Sequence, residues 1–305
     1  MYIRQSFPDL NLASMLPAID EVVMARYNRF PAQYSDVFRV EGSSRAIEQT
    51  TEVTGFGQFA VVAENDRTVY DDPLAGFNKT YQHAQYSLGF RVSRIAQDDD
   101  KFGTVRKLAT ELGKSAMETK EVTAANVFNT GFTTTGPDGK ALFATDHPLV
   151  GGGTQTNKLS YASDPDVTSI QLALTDARQT VDHRGKKIRI PMKKMVVPPA
   201  LEFIAAELLG GNERSDTANR AINTFKRRSG MPSFDSWMVW DYLSDPHAWF
   251  LQADKADTEV RWYDREAFNT THDIDFDTRS VKTAGWMRFS CGYNGWYGVY
   301  GVPSS

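Results

Sequence analysis

The residues most suggestive of chemistry lie in ALFATDHPLVGGGTQTN, residues 141–157, where Asp146 and His147 stand shortly before Gly151, Gly152 and Gly153. A catalytic pair beside a phosphate-binding loop would use these residue types. Neighbouring side chains in an extended segment point to opposite faces, so Asp146 cannot orient His147 from the adjacent position. No serine occupies a G-x-S-x-G nucleophile elbow. The glycines lack both the Gly-Lys-Ser/Thr ending and the strand-to-helix setting of a phosphate loop. The stretch therefore reads as a bending connection in which Pro148 fixes His147, with no catalytic residue assigned.

The other reactive residue types are equally scattered. HDIDFDT sets Asp273, Asp275 and Asp277 at calcium-loop spacing. Thr278 stands where that loop needs glycine and Ala284 where it needs glutamate, so an alternating acidic strand face is expected instead. His83, His183, His247 and His272 show no ligand spacing. Cys291 is the only cysteine, which excludes an internal disulfide and a cysteine-based zinc site and suits a reducing compartment. No metal or cofactor is expected.

The whole-chain totals narrow the classes further. The 305 residues are 41% hydrophobic and 24% charged with a net charge of −4, which argues against a dedicated nucleic-acid binder. No apolar run approaches the roughly 18 residues that span a bilayer, and the N-terminus lacks the features of a secretory signal. All six tryptophans, Trp237 to Trp296, fall late in the chain, so bulky packing is expected there.

The elements that must position these residues read as mixed α and β. Residues 1–45 form an arm with a helical run over Met15 to Tyr27. Over 46–95, GQFAVVAE and the alternating YSLGFRVSR predict the two strands of a long hairpin, with the polar NDRTVYDDPLAGFNKT as its tip. A hairpin alone is marginal in water, so a neighbouring subunit is a candidate support. Phe102 to Phe128 predicts the strongest helix, a rod of roughly 40 Å, with Asp98, Asp99 and Asp100 as an acidic first turn and Gly131 just past its end. A second helix is expected to start with Asp164 as N-cap and Pro165 in its first turn. KKIRIPMKKMVV reads as a strand, PPALEFIAAELLGG as a short helix, and FKRRSG as a basic loop. The remainder is strand-like and ends with Met287, Phe289, Cys291 and Tyr293 in alternation.

Three stretches are more specific than any motif above. NTGFTTTGPDGKALFATDHPLVGGGTQTN after a long helix, YLSDPHAWFLQAD, and the tail GWMRFSCGYNGWYGVYG together resemble the major capsid (major head) proteins of tailed bacteriophages, in particular the Mu-like major head subunit group. The resemblance implies an α+β Hong Kong 97-type fold. Its parts would be an N-terminal arm at 1–45, an E-loop hairpin at 46–95, and a P-domain with spine helix and following loop at 96–163. An A-domain would follow at 164–245, with returning P-domain strands and a C-terminal strand at 246–305.

The implied function is a major capsid protein that self-assembles into an icosahedral head shell around double-stranded phage DNA, with no enzymatic activity. The implied partners are other copies of the chain in pentamers and hexamers, a separate scaffolding protein, a head protease, a portal and a decoration protein. Packaged DNA would be held without sequence specificity and no membrane is involved. The location would be the virion, after assembly in the host cytoplasm. Intersubunit contacts are expected at the E-loop tip, through Tyr70, Asp71, Asp72, Phe77 and Lys79. Lys79 is the only lysine between 46 and 95, and no isopeptide role is assigned to it. The alternatives are a cargo-holding compartment shell of the same fold and, from another class, a soluble hydrolase using Asp146 and His147.

Overall fold

The computed structural model describes residues 12–93, 95, 102–211, 223–226, 234, 236–278 and 280–304. Asp98 to Asp100 and most of the basic FKRRSG stretch lie outside the described residues. The long helix forms as its periodicity requires. It runs Phe102–Asn129 and buries Val105, Ala109, Leu112, Ala116, Ala124 and Phe128 along one stripe. A shorter helix, α1 at Leu12–Tyr27, lies against this rod, α3, and buries Ile19 and Val23. The approach depends on Gly113, where an added Cβ would stand 2.3 Å from the carbonyl oxygen of Val23. The expected arm thus carries packed core residues, joined by Tyr34 and Val37 of the single-turn helix α2, Tyr34–Val37, and by Phe38.

Two four-stranded sheets build the body. In the first, β1 (Arg39–Gly42) runs parallel to β10 (Val260–Ile274), which pairs antiparallel with β11 (Val281–Tyr293), which pairs antiparallel with β4 (Ala84–Val92). In the second, the order is β12 (Val299–Val302), β9 (Trp249–Gln252), β7 (Lys194–Val197) and β8 (Ser236–Val239). The first sheet packs on α3 in a core rich in aromatic rings. Phe128 of the helix lies 5.2–6.2 Å from the rings of Phe38, Phe143, Trp240 and Phe250. The second sheet packs with helices α4 (Val167–Gln179) and α5 (Glu202–Gly210) around Ile170, Met195, Leu209, Trp249 and Tyr300. The late tryptophans therefore meet partners from much earlier in the chain.

Several local expectations are corrected. The hairpin is built from β2 (Ile47–Val53) and β3 (Ala75–Gln82), not from GQFAVVAE and YSLGFRVSR. YSLGFRVSR supplies most of β4 in the first sheet, while residues 57–63 form no strand despite their composition. Strand propensity requires a neighbouring strand, and none is offered to that segment among the described residues. α4 is capped by Asp166, whose carboxylate accepts from Ser169 N at 2.5 Å while Ser169 Oγ accepts from Asp166 N at 2.9 Å. Asp164 sits before Pro165, where the chain stays extended, and it bonds His247 instead. KKIRIPMKKMVV is a strand only over β7.

HDIDFDT is not an alternating face. It ends β10 and turns into β11, and Asp275 closes the turn by accepting from the backbone N–H groups of Asp277 and Thr278 and from Lys282 Nζ at 2.8 Å.

Candidate intersubunit surface

The Asp146–His147 pair separates, as adjacent extended residues must. Asp146 is exposed and pairs with Lys140, which holds its carboxyl below the usual aspartate range. His147 points inward, 1% exposed, with Nδ1 2.5 Å from Asp138 Oδ2 and Nε2 3.0 Å from Asn157 Oδ1. Its ring stacks on Trp296 at 4.9 Å. Both ring nitrogens are engaged, no serine or cysteine is bonded to the ring among the described residues, and the adjoining cavity of about 10 Å³ is barely the size of one water. This geometry does not favour the hydrolase alternative at Asp146 and His147.

Asn157 completes this locking cluster. Its Oδ1 also accepts from Ala144 N at 3.0 Å, and its Nδ2 donates to the carbonyl of Leu142 at 2.8 Å. The short strands β5 (His147–Pro148) and β6 (Thr154–Gln155) flank a tight turn in which Gly152 and Gly153 have φ of +95° and +88°. Gly151 N–H bonds the carbonyl of His183 at 2.8 Å, and a Cβ there would stand 2.5 Å from that oxygen. The glycines serve a bend and a close approach.

The part of the chain least covered by its own body is the hairpin tip, residues 54–74. Thr54 and Leu74 close its neck through Thr54 N to Leu74 O at 2.9 Å and Leu74 N to Thr54 Oγ1 at 2.8 Å. Beyond the neck, Phe59 and Val61 are fully exposed, at 106% and 102%, and Phe56, Val69, Tyr70 and Leu74 are largely so. Apolar exposure of this kind makes the tip the candidate contact surface.

Polar ties fix the loop's path. Asp71 accepts from Gly57 N at 2.7 Å and pairs with Arg184 at 2.5 Å, which keep its carboxyl below the usual range. Arg184 also donates to the carbonyl of Asp72, and Lys186 to that of Phe56 at 2.9 Å.

Of the five residues expected at the tip, Tyr70, Asp71 and Asp72 are there. Phe77 and Lys79 are not: both lie on β3, half-buried against the body. The Phe77 ring is 5.8 Å from His183, and Lys79 Nζ is 5.8 Å from the centre of the Tyr293 ring. Sequence reasoning missed Arg184, which sits 113 residues from its partner, and it missed Phe59 and Val61, whose apolar pattern was read as a paired strand.

The foot of the hairpin is held firmly. A cleft of about 730 Å³ separates β2 from the 182–189 loop, and across its end His183 Nε2 lies 2.8 Å from Glu52 Oε1, off the line of a good hydrogen bond. One residue, His83, joins β3 to β4. It is buried between Ser43 Oγ, 3.0 Å from Nε2, and Ser290 Oγ, 3.0 Å from Nδ1, and burial lowers its pKa.

Two further charges hide on the apolar stripe of α3. Lys120 donates to Asp264 Oδ1 at 3.1 Å within a ring of Tyr27, Trp262 and Phe289. Glu121 accepts from Tyr34 N–H and Trp240 Nε1–H, both at 3.1 Å, and its burial raises its pKa. These groups fasten the N-terminal segment to the helix. Among the described residues no cluster of potential metal ligands occurs, and no helix is long and apolar enough to cross a membrane.

Comparison with known proteins agrees with this architecture. The solved structures similar to the chain include the procapsid of bacteriophage JBD30, at 14% identity and a TM-score of 0.54, over 98% of this chain and 77% of that one. The capsid of Ralstonia phage GP4 is similar at 13% identity and a TM-score of 0.56, over 89% and 88%. A virus-like particle from Pyrococcus furiosus is similar at 10% identity and a TM-score of 0.56, over 94% and 98%. At these identities the likeness is one of fold, the Hong Kong 97-type.

In sequence, the Mu-like prophage FluMu major head subunit of Haemophilus influenzae is 28% identical over 149 residues. That match spans 48% of this chain and about half, 46%, of the relative. The model of the family described as phage capsid protein matches residues 78–302, and on that match over most of its length the chain belongs to the phage capsid protein family.

Proposed function

We propose that this chain is a major capsid protein that self-assembles into an icosahedral head shell enclosing double-stranded phage DNA. The observation that carries the proposal is the hairpin: 21 residues of tip, numbered 54–74, project apolar side chains that the chain's own body leaves uncovered. In a protein of this family such a tip is explained by a neighbouring copy.

Assembly through several such contacts follows ordinary affinity arithmetic. One contact of about 1 mM supplies only roughly 4 kcal/mol. Several per subunit, closed into rings and then a shell, act together through effective concentration. Misplaced subunits can therefore leave while the finished container persists. The net charge of −4 is consistent with a wall that does not hold DNA by counterion release.

Tyr70, Asp71 and Asp72 are proposed as contact residues at the tip, and Phe77 and Lys79 as supports that set the strand from which the tip projects. A scaffolding protein, a head protease, a portal and a decoration protein are the partners proposed, with assembly in the host cytoplasm. Light scattering and negative-stain microscopy of the purified chain, with and without its scaffold, test the proposal. Rings, sheets or shells are expected, and a chain that stays monomeric under every condition refutes it.

A further inference from the structure

We propose that residues 180–188 form a bracket through which the α4 side of the molecule sets the direction in which the large hairpin leaves the body, so that a shift of α4 against the first sheet swings the hairpin tip. The first support is the bracket's own build. Residues 180–188 fold into a small second hairpin: Ile188 N–H donates to Thr180 O at 3.0 Å, Val181 stands opposite Lys187, and Asp182 N–H donates to Lys186 O at 2.7 Å. Asp182 Oδ1 closes the turn from inside by accepting from Arg184 N at 2.9 Å and from Lys186 N at 2.8 Å. Arg184 and Lys186 therefore reach outward from a base whose order is already established, and their contacts cost less to form.

The second support is where the two hairpins are rooted. The bracket is flanked by Ala177 of α4 and by Met192, both buried in the core around Ile170 and Met195. The large hairpin is rooted elsewhere. β3 passes through His83 into β4 of the first sheet, and the buried Tyr81 of β3 lies with its ring 5.0 Å from that of Tyr263 on β10. Contacts between the two hairpins thus join elements anchored in different cores.

The third support is the placement of those contacts. Three residues of one turn reach three heights of the large hairpin: His183 lies beside Glu52 near the end of β2, Lys186 donates to Phe56 O beyond the neck, and Arg184 pairs with Asp71 on the returning limb. Asp71 also holds Gly57 N, so Arg184 grips both limbs at once. The cleft of about 730 Å³ between β2 and the bracket leaves space for the hairpin to lean. The eight residues of β3 make a lever of roughly 26 Å from His83, so a small displacement at the bracket becomes a larger one at the tip. The foot fixes where the hairpin is rooted, and the bracket fixes its angle.

The test reads the angle directly in the unassembled chain. Nitroxide labels at Ala75→Cys, the exposed outermost residue of β3, and at Ser87→Cys, exposed on β4, are placed in a Cys291→Ser background, and their separation is measured by pulsed electron spin resonance. One narrow distance is expected with the bracket intact. Arg184→Glu together with Lys186→Glu is expected to widen the distribution at least about twofold while the unfolding midpoint stays in place. Arg184→Glu alone is expected to widen it less, and adding Asp71→Arg to that variant to narrow it again. Lengthening the bracket by two residues in each limb keeps the strand alternation and raises its turn by about 7 Å. That variant is expected to move the mean distance by about 3–6 Å with the distribution still narrow. An unchanged distance and width in both the double-glutamate and the lengthened variants overturns the bracket, as does an intact chain whose distribution is already as broad as that of the double-glutamate variant. Particle formation does not enter the measurement, so the shell reading stands or falls separately.

Discussion

Asn157→Ala is the sharpest probe of the region after the long helix, because Asn157 is buried at 2% exposure and every polar atom of its side chain is bonded. The substitution deprives two groups of their acceptor, Ala144 N–H and His147 Nε2, each 3.0 Å from Oδ1, and removes the donor shared by the carbonyls of Leu142 at 2.8 Å and, more weakly, Val299 at 3.3 Å and Trp296 at 3.4 Å. A buried polar group left alone costs about 1–3 kcal/mol, so about 3–5 kcal/mol of unfolding free energy is expected after partial relaxation. Chemical denaturation of the unassembled chain measures it.

The same substitution in a His147→Phe background should cost less by about 1–2 kcal/mol, because one of the stranded groups is already gone. A loss below about 1 kcal/mol, or strict additivity of the two substitutions, would refute the view that this cluster locks the loop to the C-terminal strand.

Three other outcomes are expected. Glu121 has its carboxyl pKa raised above the ordinary 4.5 by burial, so the folded state holds its proton more tightly than the unfolded chain does. Its contribution to stability is therefore complete at acid pH and is lost as pH rises from 4.5 through the raised value, a slope that Glu121→Gln should flatten in pH-dependent denaturation. Arg184→Ala should leave global stability nearly unchanged, since the pair with Asp71 lies at the surface and ties down only the projecting loop, yet speed amide hydrogen exchange over residues 56–74. Gly152→Ala and Gly153→Ala should each cost about 1–2 kcal/mol in thermal denaturation, because both positions need positive φ.

The parts of the fold that were legible from sequence are those set by local periodicity. The stripe from Val105 to Phe128 specifies a helix without help from distant residues, and the alternation through Phe289 and Tyr293 specifies β11. What was not legible depends on partners far along the chain. β4 and the 57–64 segment are both strand-like in composition, and only the presence of β11 beside one of them separates strand from loop. Asp166 rather than Asp164 caps α4 because Ser169 reciprocates its bond, a detail of geometry that two aspartates flanking a proline leave ambiguous. The burial of Lys120 and Glu121 is explained only by Asp264, Tyr34 and Trp240, partners far from them along the chain. Within the proposed contact surface, the turn-forming and charged residues of the tip are legible in the sequence, whereas Arg184 carries no local signal of its pairing with Asp71.

His83 gives the hairpin a mechanical character. With a single clasped residue between β3 and β4, a force applied at the tip meets no slack at the foot and is delivered straight into the four-stranded sheet, whose other face leans on the long helix. The hairpin behaves as a cantilever bolted to a beam, so strain borne by one projecting tip becomes strain in the body of the subunit that owns it.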